Sequence, residues 1–293
     1  MTLRILLLGS TGQVGWELHR ALLPLGEITA LDYPQIDMAE PDSIRQVVRD
    51  TQPEVVINAT AFTDVDQAES LPDFAMAING TGPGVLAEEA QRVGAALIHY
   101  STDYVFDGTN DVPYTENDEP NPINVYGRTK LAGETAVLAL AGPHLIFRTS
   151  WVYSLRKACF VTKVLAWSRK QETLQIVSDQ ISSPTWARTL AETTAHILAQ
   201  AGREAVPWLR ERGGLYHLAG GGACSRFEWA QAVLALDPDR EEQVVKQIQP
   251  AESSDFVTAA QRPLYTALSC KKLEATFDLV CPPWELALKL LFQ

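Results

Sequence analysis

Tyr126 and Lys130 stand four residues apart in the run Tyr126-Gly127-Arg128-Thr129-Lys130, at the start of a stretch with helical spacing of apolar residues. On a helix that spacing sets a phenol and an ammonium on one face. A phenol ordinarily ionises near about pH 10 and a neighbouring cation favours its anion, so the pair can pass a proton to or from an alcohol oxygen near neutral pH. Taken alone, such a pair is equally at home on a solvated helix surface, and its weight comes from what precedes it. Upstream, His99-Tyr100-Ser101-Thr102-Asp103-Tyr104-Val105-Phe106 follows a candidate strand, at the edge where open parallel sheets bind ligands. With Tyr126 and Lys130 downstream, Thr102 becomes the third member of the set, a hydroxyl that donates to the same oxygen that Tyr126 protonates. Without them, Ser101 and Thr102 would only end the strand.

The second chemical feature is Gly9-Ser10-Thr11-Gly12-Gln13-Val14-Gly15, directly after the apolar run Ile5-Leu6-Leu7-Leu8 and before a helical pattern. Glycines between a strand and a helix permit a tight turn and close approach of backbone to a pyrophosphate, and the helix start offers free N–H groups. This context predicts a dinucleotide site, with Gly9, Thr11, Gly12, Gln13, Val14 and Gly15 as its candidate contacts. Asp32 ends the second strand about 20 residues downstream, where an acidic side chain accepts from ribose hydroxyls. That position favours NADH. Asp32 can equally begin the turn before Pro34, so the choice between NADH and NADPH stays open. Asp37 and Met38 form a candidate lip for the adenine, although an Asp there also suits a helix cap.

These groups need a frame that brings strand ends and helix starts together. Up to residue 150, short aliphatic runs at 4–8, 28–31, 54–58, 95–100 and 144–148 alternate with helical patterns at 14–25, 41–51, 73–93 and 125–141. This rhythm predicts an α/β fold, a Rossmann-type doubly wound parallel sheet with helices on both faces. Beyond 150 the rhythm breaks into a strand at 174–177, a helix at 185–200, a strand at 215–218 and a helix opening on the capping box Ser225-Arg226-Phe227-Glu228. We therefore expect a dinucleotide-binding domain over 1–150 and a smaller α/β substrate-binding lobe over 151–293, some of whose segments return to the first domain. The polar loop 107–124 is long enough to be functional.

Composition removes other classes. The chain's 293 residues, 46% of them hydrophobic, suffice for a sizeable core. A net charge of -12, with basic clusters no longer than pairs such as Lys271-Lys272, argues against nucleic acid as a partner. Any anionic ligand must be held by local groups. Cys159, Cys224, Cys270 and Cys281 form no CxxC pair, so free thiols in a reducing cytoplasm are expected rather than zinc or disulfides. No segment approaches the roughly 20 apolar residues a membrane span requires. His99, His144 and His217 lie in or beside strands with no second ligand at metal spacing, and read as packing.

The chain resembles the extended short-chain dehydrogenases/reductases and, within them, the dTDP-4-dehydrorhamnose reductases, over nearly its whole length. The resemblance rests on Gly9 to Gly15 with Gln13, on Asn58-Ala59-Thr60-Ala61-Phe62-Thr63-Asp64-Val65-Asp66-Gln67-Ala68-Glu69 and on Ser101-Thr102-Asp103-Tyr104-Val105-Phe106. It rests also on Tyr126 to Lys130, on Arg148-Thr149-Ser150-Trp151-Val152-Tyr153 and on Arg262-Pro263. It implies hydride transfer from NADH or NADPH to C4 of dTDP-4-dehydro-L-rhamnose, a small nucleotide sugar, giving dTDP-L-rhamnose for cell-surface polysaccharide. Tyr126 would be the acid, Lys130 its pKa modifier and Thr102 a ligand of the carbonyl. Ala59, Thr60, Ala61, Asn79 and Ser101 would line the cofactor together with Tyr126 and Lys130. Thr63, Asp64, Asp103, Tyr104 and Trp151 would line the sugar end of the cleft, and Arg262 would neutralise the diphosphate.

Two departures from relatives refine this. Sugar-nucleotide 4,6-dehydratases carry an Asp-Glu pair after the threonine; here Asp103 is followed by Tyr104, which leaves ketone reduction rather than dehydration. Members of the resembled family can dimerise through magnesium held by glutamates. Glu17 matches one of these, but the other two regions read Trp186-Ala187-Arg188 and Leu290-Leu291-Phe292-Gln293. A cation is not gathered by one carboxylate and an arginine, so we expect no bound metal and a monomer or weak homodimer. The alternatives are a reductase or epimerase of another nucleotide-linked keto sugar, and a non-catalytic NAD(P)-binding regulatory subunit.

Overall fold

In a computed structural model, which describes residues 3–293 apart from the side chain of Arg203, the first strands are β1 (Leu3–Leu8), β2 (Gly26–Leu31), β3 (Val55–Asn58), β4 (Ala96–Thr102) and β5 (His144–Thr149). There follow β6 (Val152–Tyr153), β7 (Thr173–Val177), β8 (Ile181–Ser182), β9 (Thr185–Trp186), β10 (Gly214–His217), β11 (Cys224–Ser225) and β12 (Gln247–Ala251). A six-stranded sheet has the order β10-β5-β4-β3-β1-β2 and is parallel throughout. Side chains alternate across a strand, and β1 is apolar at successive positions because both its faces are covered. Ile5 and Leu7 pack on one side with Leu18, Leu22 and Ile57, and Leu6 and Leu8 on the other with Ile44, Val48 and Leu86.

The helices that supply this cover begin with α1 (Gln13–Leu22), α2 (Pro41–Thr51), α3 (Val65–Ser70), α4 (Pro72–Met76), α5 (Gly82–Val93) and α6 (Val125–Leu138). The chain leaves β1 for β2 on one side and returns to β3 on the other, so a crevice opens at the carboxyl ends of β1 and β3. Pro41 opens α2 and a left-handed Gly94 closes α5, as start and stop signals predict. The helix expected over 73–93 is interrupted by a π turn at Ala77–Thr81. The wide turn carries the buried Asn79 inward, where its side chain bonds both backbone groups of Phe62 at 2.9 and 3.0 Å.

After residue 150 the chain serves two bodies of apolar packing. The predicted strand at 215–218 is β10, which joins the main sheet beside β5, and α8 (Ala187–Ala201) contributes Leu190 and Ile197 to the same core as α1, with α9 (Ala205–Arg212) adding Leu209. By contrast α7 (Phe160–Ser168), α10 (Arg226–Leu236) and the parallel pair β7 and β12 share a separate cluster that includes Tyr153, Val164, Ile176, Trp229 and Val233. The capping box is present: Ser225 Oγ accepts from Glu228 N–H, and the Glu228 carboxylate accepts from Ser225 N–H. None of the described helices is long and apolar enough to cross a membrane.

One buried ion pair ties α6 to the sheet. Arg148 on β5 donates to Glu134 from Nε at 3.0 Å and from Nη2 at 2.7 Å, and both residues are nearly inaccessible. Removing one member of such a pair strands a charge in a low-dielectric interior. Glu134→Ala should therefore lose about 3–5 kcal/mol of unfolding free energy, read from the urea midpoint. An unchanged midpoint would mean that the pair does not hold α6 in place.

Candidate active site

The crevice begins at the turn after β1. Gly9 has φ of 82°, and a Cβ there would meet the carbonyl carbon of Ala59 at 2.8 Å, so only glycine lets the turn pass the end of β3. Gly12 caps α1 with no side-chain bond, which leaves the first-turn N–H groups facing the crevice. Asp32 accepts from Thr11 N–H at 2.9 Å and Thr11 Oγ at 2.6 Å. Burial alone would raise the Asp32 pKa, yet the Thr11 bonds and the Tyr33 N–H hold it below the usual carboxylate value.

A cavity of about 710 Å³ occupies this crevice. Of the residues singled out in the sequence, Gly9, Thr11, Gly12, Gln13, Val14, Asp32, Asp37, Met38, Ala59, Thr60, Ala61, Thr63, Ser101, Tyr126 and Lys130 line it. Gly15 is buried below the turn, where a Cβ would meet Gly9 O at 2.0 Å, and Asn79 supports Phe62 from behind rather than reaching the wall. Tyr33, Phe74, Thr149 and Lys157 also line the cavity and were missed. Tyr33 follows Asp32 directly and could have been inferred; Lys157 carries no sequence signal.

Lys130 is 1% exposed and donates to the carbonyl of Tyr100 at 2.6 Å. Burial brings its pKa down to about 8, against the opposing charge of Glu134 one turn along α6. The helix start is fixed closely: Asn124 Oδ1 accepts from Gly127 N–H at 2.8 Å, and a Cβ on Gly127 would meet Tyr104 O at 2.1 Å. The Tyr126 ring consequently stands edge-on to Tyr104, with centroids 5.9 Å apart. Burial pushes the Tyr126 phenol above its ordinary pKa, with the Thr102 hydroxyl opposing. Lys130, whose ammonium is bonded to the Tyr100 carbonyl, is not among the groups that shift the phenol. A neutral phenol is suited to give a proton rather than take one.

The remaining candidates are dispersed. Thr102 Oγ donates to Asp103 Oδ1 at 3.1 Å and accepts from Tyr104 N–H at 3.2 Å. Asp103, expected at the sugar end, is 2% exposed and does not reach the cavity wall; its Oδ2 accepts from Ser182 at 3.1 Å and Thr266 at 2.5 Å. It ties the end of β4 to β8, because burial of a carboxyl requires donors on every side. Asp64 caps α3 by accepting from Gln67 N–H at 2.9 Å. Trp151, with φ of 41°, stacks on Trp229 at 5.5 Å. Arg262 spends its fork on Asp66, with both bonds at 2.6 Å, and this ion pair takes the Asp66 pKa down to about 2. It borders a second cavity of about 570 Å³ walled by Phe160, Ile176, Gln180, Arg226, Phe256 and Leu264 among others.

His99 and His217 are fully buried, with Nδ1 of His99 3.1 Å from the Asn58 amide and Nδ1 of His217 3.1 Å from Tyr114 O. Among the described residues no three His, Cys, Asp or Glu side chains come together to hold a metal. Beside Glu17, Arg188 pairs with Glu192 at 2.6 Å, so the donors around Glu17 do not fit magnesium.

Comparison with known proteins places this geometry. The family model described as the RmlD substrate binding domain matches residues 3–293. A dTDP-4-dehydrorhamnose reductase of Salmonella typhimurium is 41% identical, covering 98% of this chain and 96% of that protein. The crystal structure of dTDP-4-dehydrorhamnose reductase from Bacillus anthracis in complex with NADP superposes with a TM-score of 0.90 at 33% identity, covering 100% of this chain and 99% of that one. A Thermus thermophilus UDP-glucose 4-epimerase complexed with NAD shares the fold, with a TM-score of 0.80 at 18% identity over 99% and 98% of the two chains. With a family model spanning the described chain and full-length relatives at this identity, the chain belongs to the dTDP-4-dehydrorhamnose reductase family.

Proposed function

We propose that this protein reduces the C4 ketone of dTDP-4-dehydro-L-rhamnose to dTDP-L-rhamnose with NADH or NADPH, in the cytoplasm, as a metal-free monomer or weak homodimer. The observation that carries this reading is the placement of Tyr126 and Lys130 on the wall of the same cavity as the glycine turn and Asp32. The free N–H groups of α1 suit the pyrophosphate and Asp32 suits a ribose hydroxyl. A bound nicotinamide supplies a hydride to the carbonyl carbon. Tyr126 Oη gives its proton to the carbonyl oxygen, Thr102 polarises that oxygen, and Lys130 contributes positive charge beside the developing alkoxide. The sugar lies between Thr63, Tyr104 and Trp151, with its nucleotide extending toward the second cavity. On this reading the domain boundary falls near residue 150, with β10 and α8 as returning segments.

The direct test is oxidation of NADPH and NADH followed at 340 nm with enzymatically generated dTDP-4-dehydro-L-rhamnose. Tyr126→Phe should lower kcat by about 10²- to 10⁴-fold while cofactor affinity is retained. Cofactor binding without oxidation by the wild type would remove the assignment and favour a regulatory role. Turnover should be indifferent to EDTA; a loss restored by magnesium would contradict the metal-free state.

Lys130 gives a pH dependence. Its pKa of about 8 in the folded chain lies below its ordinary value. As pH rises through about 8 the ammonium is lost and kcat should fall. Stability responds in the opposite sense: between the folded and unfolded pKa values the unfolded chain holds the extra proton, so this group makes stability rise with pH. A kcat profile flat through this range would show that the charge on Lys130 is not used.

A further inference from the structure

Two arginines border the second cavity, and their situations differ. Arg262 is committed to Asp66. Arg226 takes part in none of the ion pairs among the described residues; its guanidinium is hydrogen-bonded to the phenol of Tyr104, and its backbone N–H to Gln180 O at 3.1 Å. The carboxylate nearest in sequence, Glu228, is occupied with Ser225 N–H at 2.7 Å and Ser225 Oγ at 3.0 Å. An arginine without a carboxylate partner carries an uncompensated desolvation cost. Here burial lowers the pKa of Arg226, and the phenol of Tyr104 is the first group that opposes the shift.

The cation is nevertheless held rigidly. Its guanidinium carbon lies 3.6 Å from the Trp151 ring centroid, 4.9 Å from Phe160 and 5.6 Å from Trp229. Contact with three rings positions the fork without consuming its N–H donors, and those not engaged with Tyr104 are left for an anion entering the cavity. In a protein of net charge -12 such an anion needs a local receptor.

The position relative to Tyr126 suggests which anion. Tyr104 stands edge-on to Tyr126, and its phenol is also hydrogen-bonded to Arg226, so this one side chain links the two. In a pyranose, C4 and the anomeric carbon lie at opposite ends of the ring. A ketone carbon at Tyr126 therefore sets the anomeric oxygen, and the phosphates attached to it, one ring away in the direction of Arg226. We propose that Arg226 is the receptor for the diphosphate bridge of the nucleotide-linked substrate and a determinant of specificity for it, whereas Arg262 joins the loop after Ala260 to α3. This rests on the sugar-nucleotide reading above. A planar fork of donors suits two phosphate oxygens at once, which an ammonium cannot match.

The test compares wild type with Arg226→Met, Arg226→Lys and Arg262→Met, using dTDP and thymidine as competitive inhibitors. A charge-assisted hydrogen-bond pair is worth roughly 10- to 100-fold in affinity. Arg226→Met should weaken dTDP by that factor, leave thymidine inhibition and NADPH affinity as in wild type, and raise KM for the sugar nucleotide more than it lowers kcat. Arg226→Lys should fall between the two, and Arg262→Met should lower Tm more than it weakens dTDP. Equal loss of dTDP and thymidine in Arg226→Met would show that the arginine only props Trp151, and dTDP affinity unchanged in Arg226→Met would likewise overturn the proposal. Absence of turnover by the wild type would instead overturn the functional reading, so the two failures are distinguishable.

Discussion

Keeping the ammonium of Lys130 out of water is the constraint on which the rest of the site depends. Its single direct hydrogen bond among the described residues, to the Tyr100 carbonyl, reaches from α6 to the last residues of β4, so the start of α6 must lie hard against the sheet's carboxyl edge. Gly127 makes that approach possible, since any side chain there would occupy the Tyr104 carbonyl. Glu134 and Arg148 hold the next turn of the helix to β5, and Glu134 is also the charge that limits the fall in the Lys130 pKa. One carboxylate thus serves both the position of the helix and the charge state of the residue that helix carries. Asn124 completes the arrangement by capping α6 and donating to Gln261 O at 2.9 Å.

The distribution of positive charge follows the same economy. In an acidic chain most arginines are neutralised where they stand: Arg49 by Glu89, Arg148 by Glu134, Arg169 by Asp237 and Glu242, Arg188 by Glu192 and Arg262 by Asp66. These pairs hold elements together and present little net field to a ligand. On the cavity walls, what remains to meet an anion is the uncapped start of α1, the ammonium groups of Lys130 and Lys157, and the guanidinium of Arg226. The α1 start and the two lysines lie on one cavity and Arg226 on the other, so the negatively charged parts of a cofactor and a sugar nucleotide do not compete for one cation.

The parts legible in the sequence are those whose cause is local. Every strand read in the first half lies within two residues of its observed bounds, because an apolar run flanked by turn residues is a property of the run itself. The glycine turn, the Tyr126 and Lys130 spacing and the Ser225 capping box are of the same kind. What could not be read depends on partners distant in the chain. The π turn at Ala77–Thr81 is paired with Phe62 and Thr129 through Asn79, and nothing in its own residues marks it. Asp103 follows the catalytic threonine candidate and so invites a functional reading, but Ser182 and Thr266, brought beside it by the later chain, make it a buried tie. Arg262 invites a similar reading until Asp66, from α3, is found in its fork. The complementary case is Arg226. In the sequence it is only the second residue of a helix-capping motif; the fold turns it into a cation caged by Trp151, Phe160 and Trp229 with no ion-pair partner among the described residues, and no pattern local to the motif encodes the approach of Trp151 and Phe160.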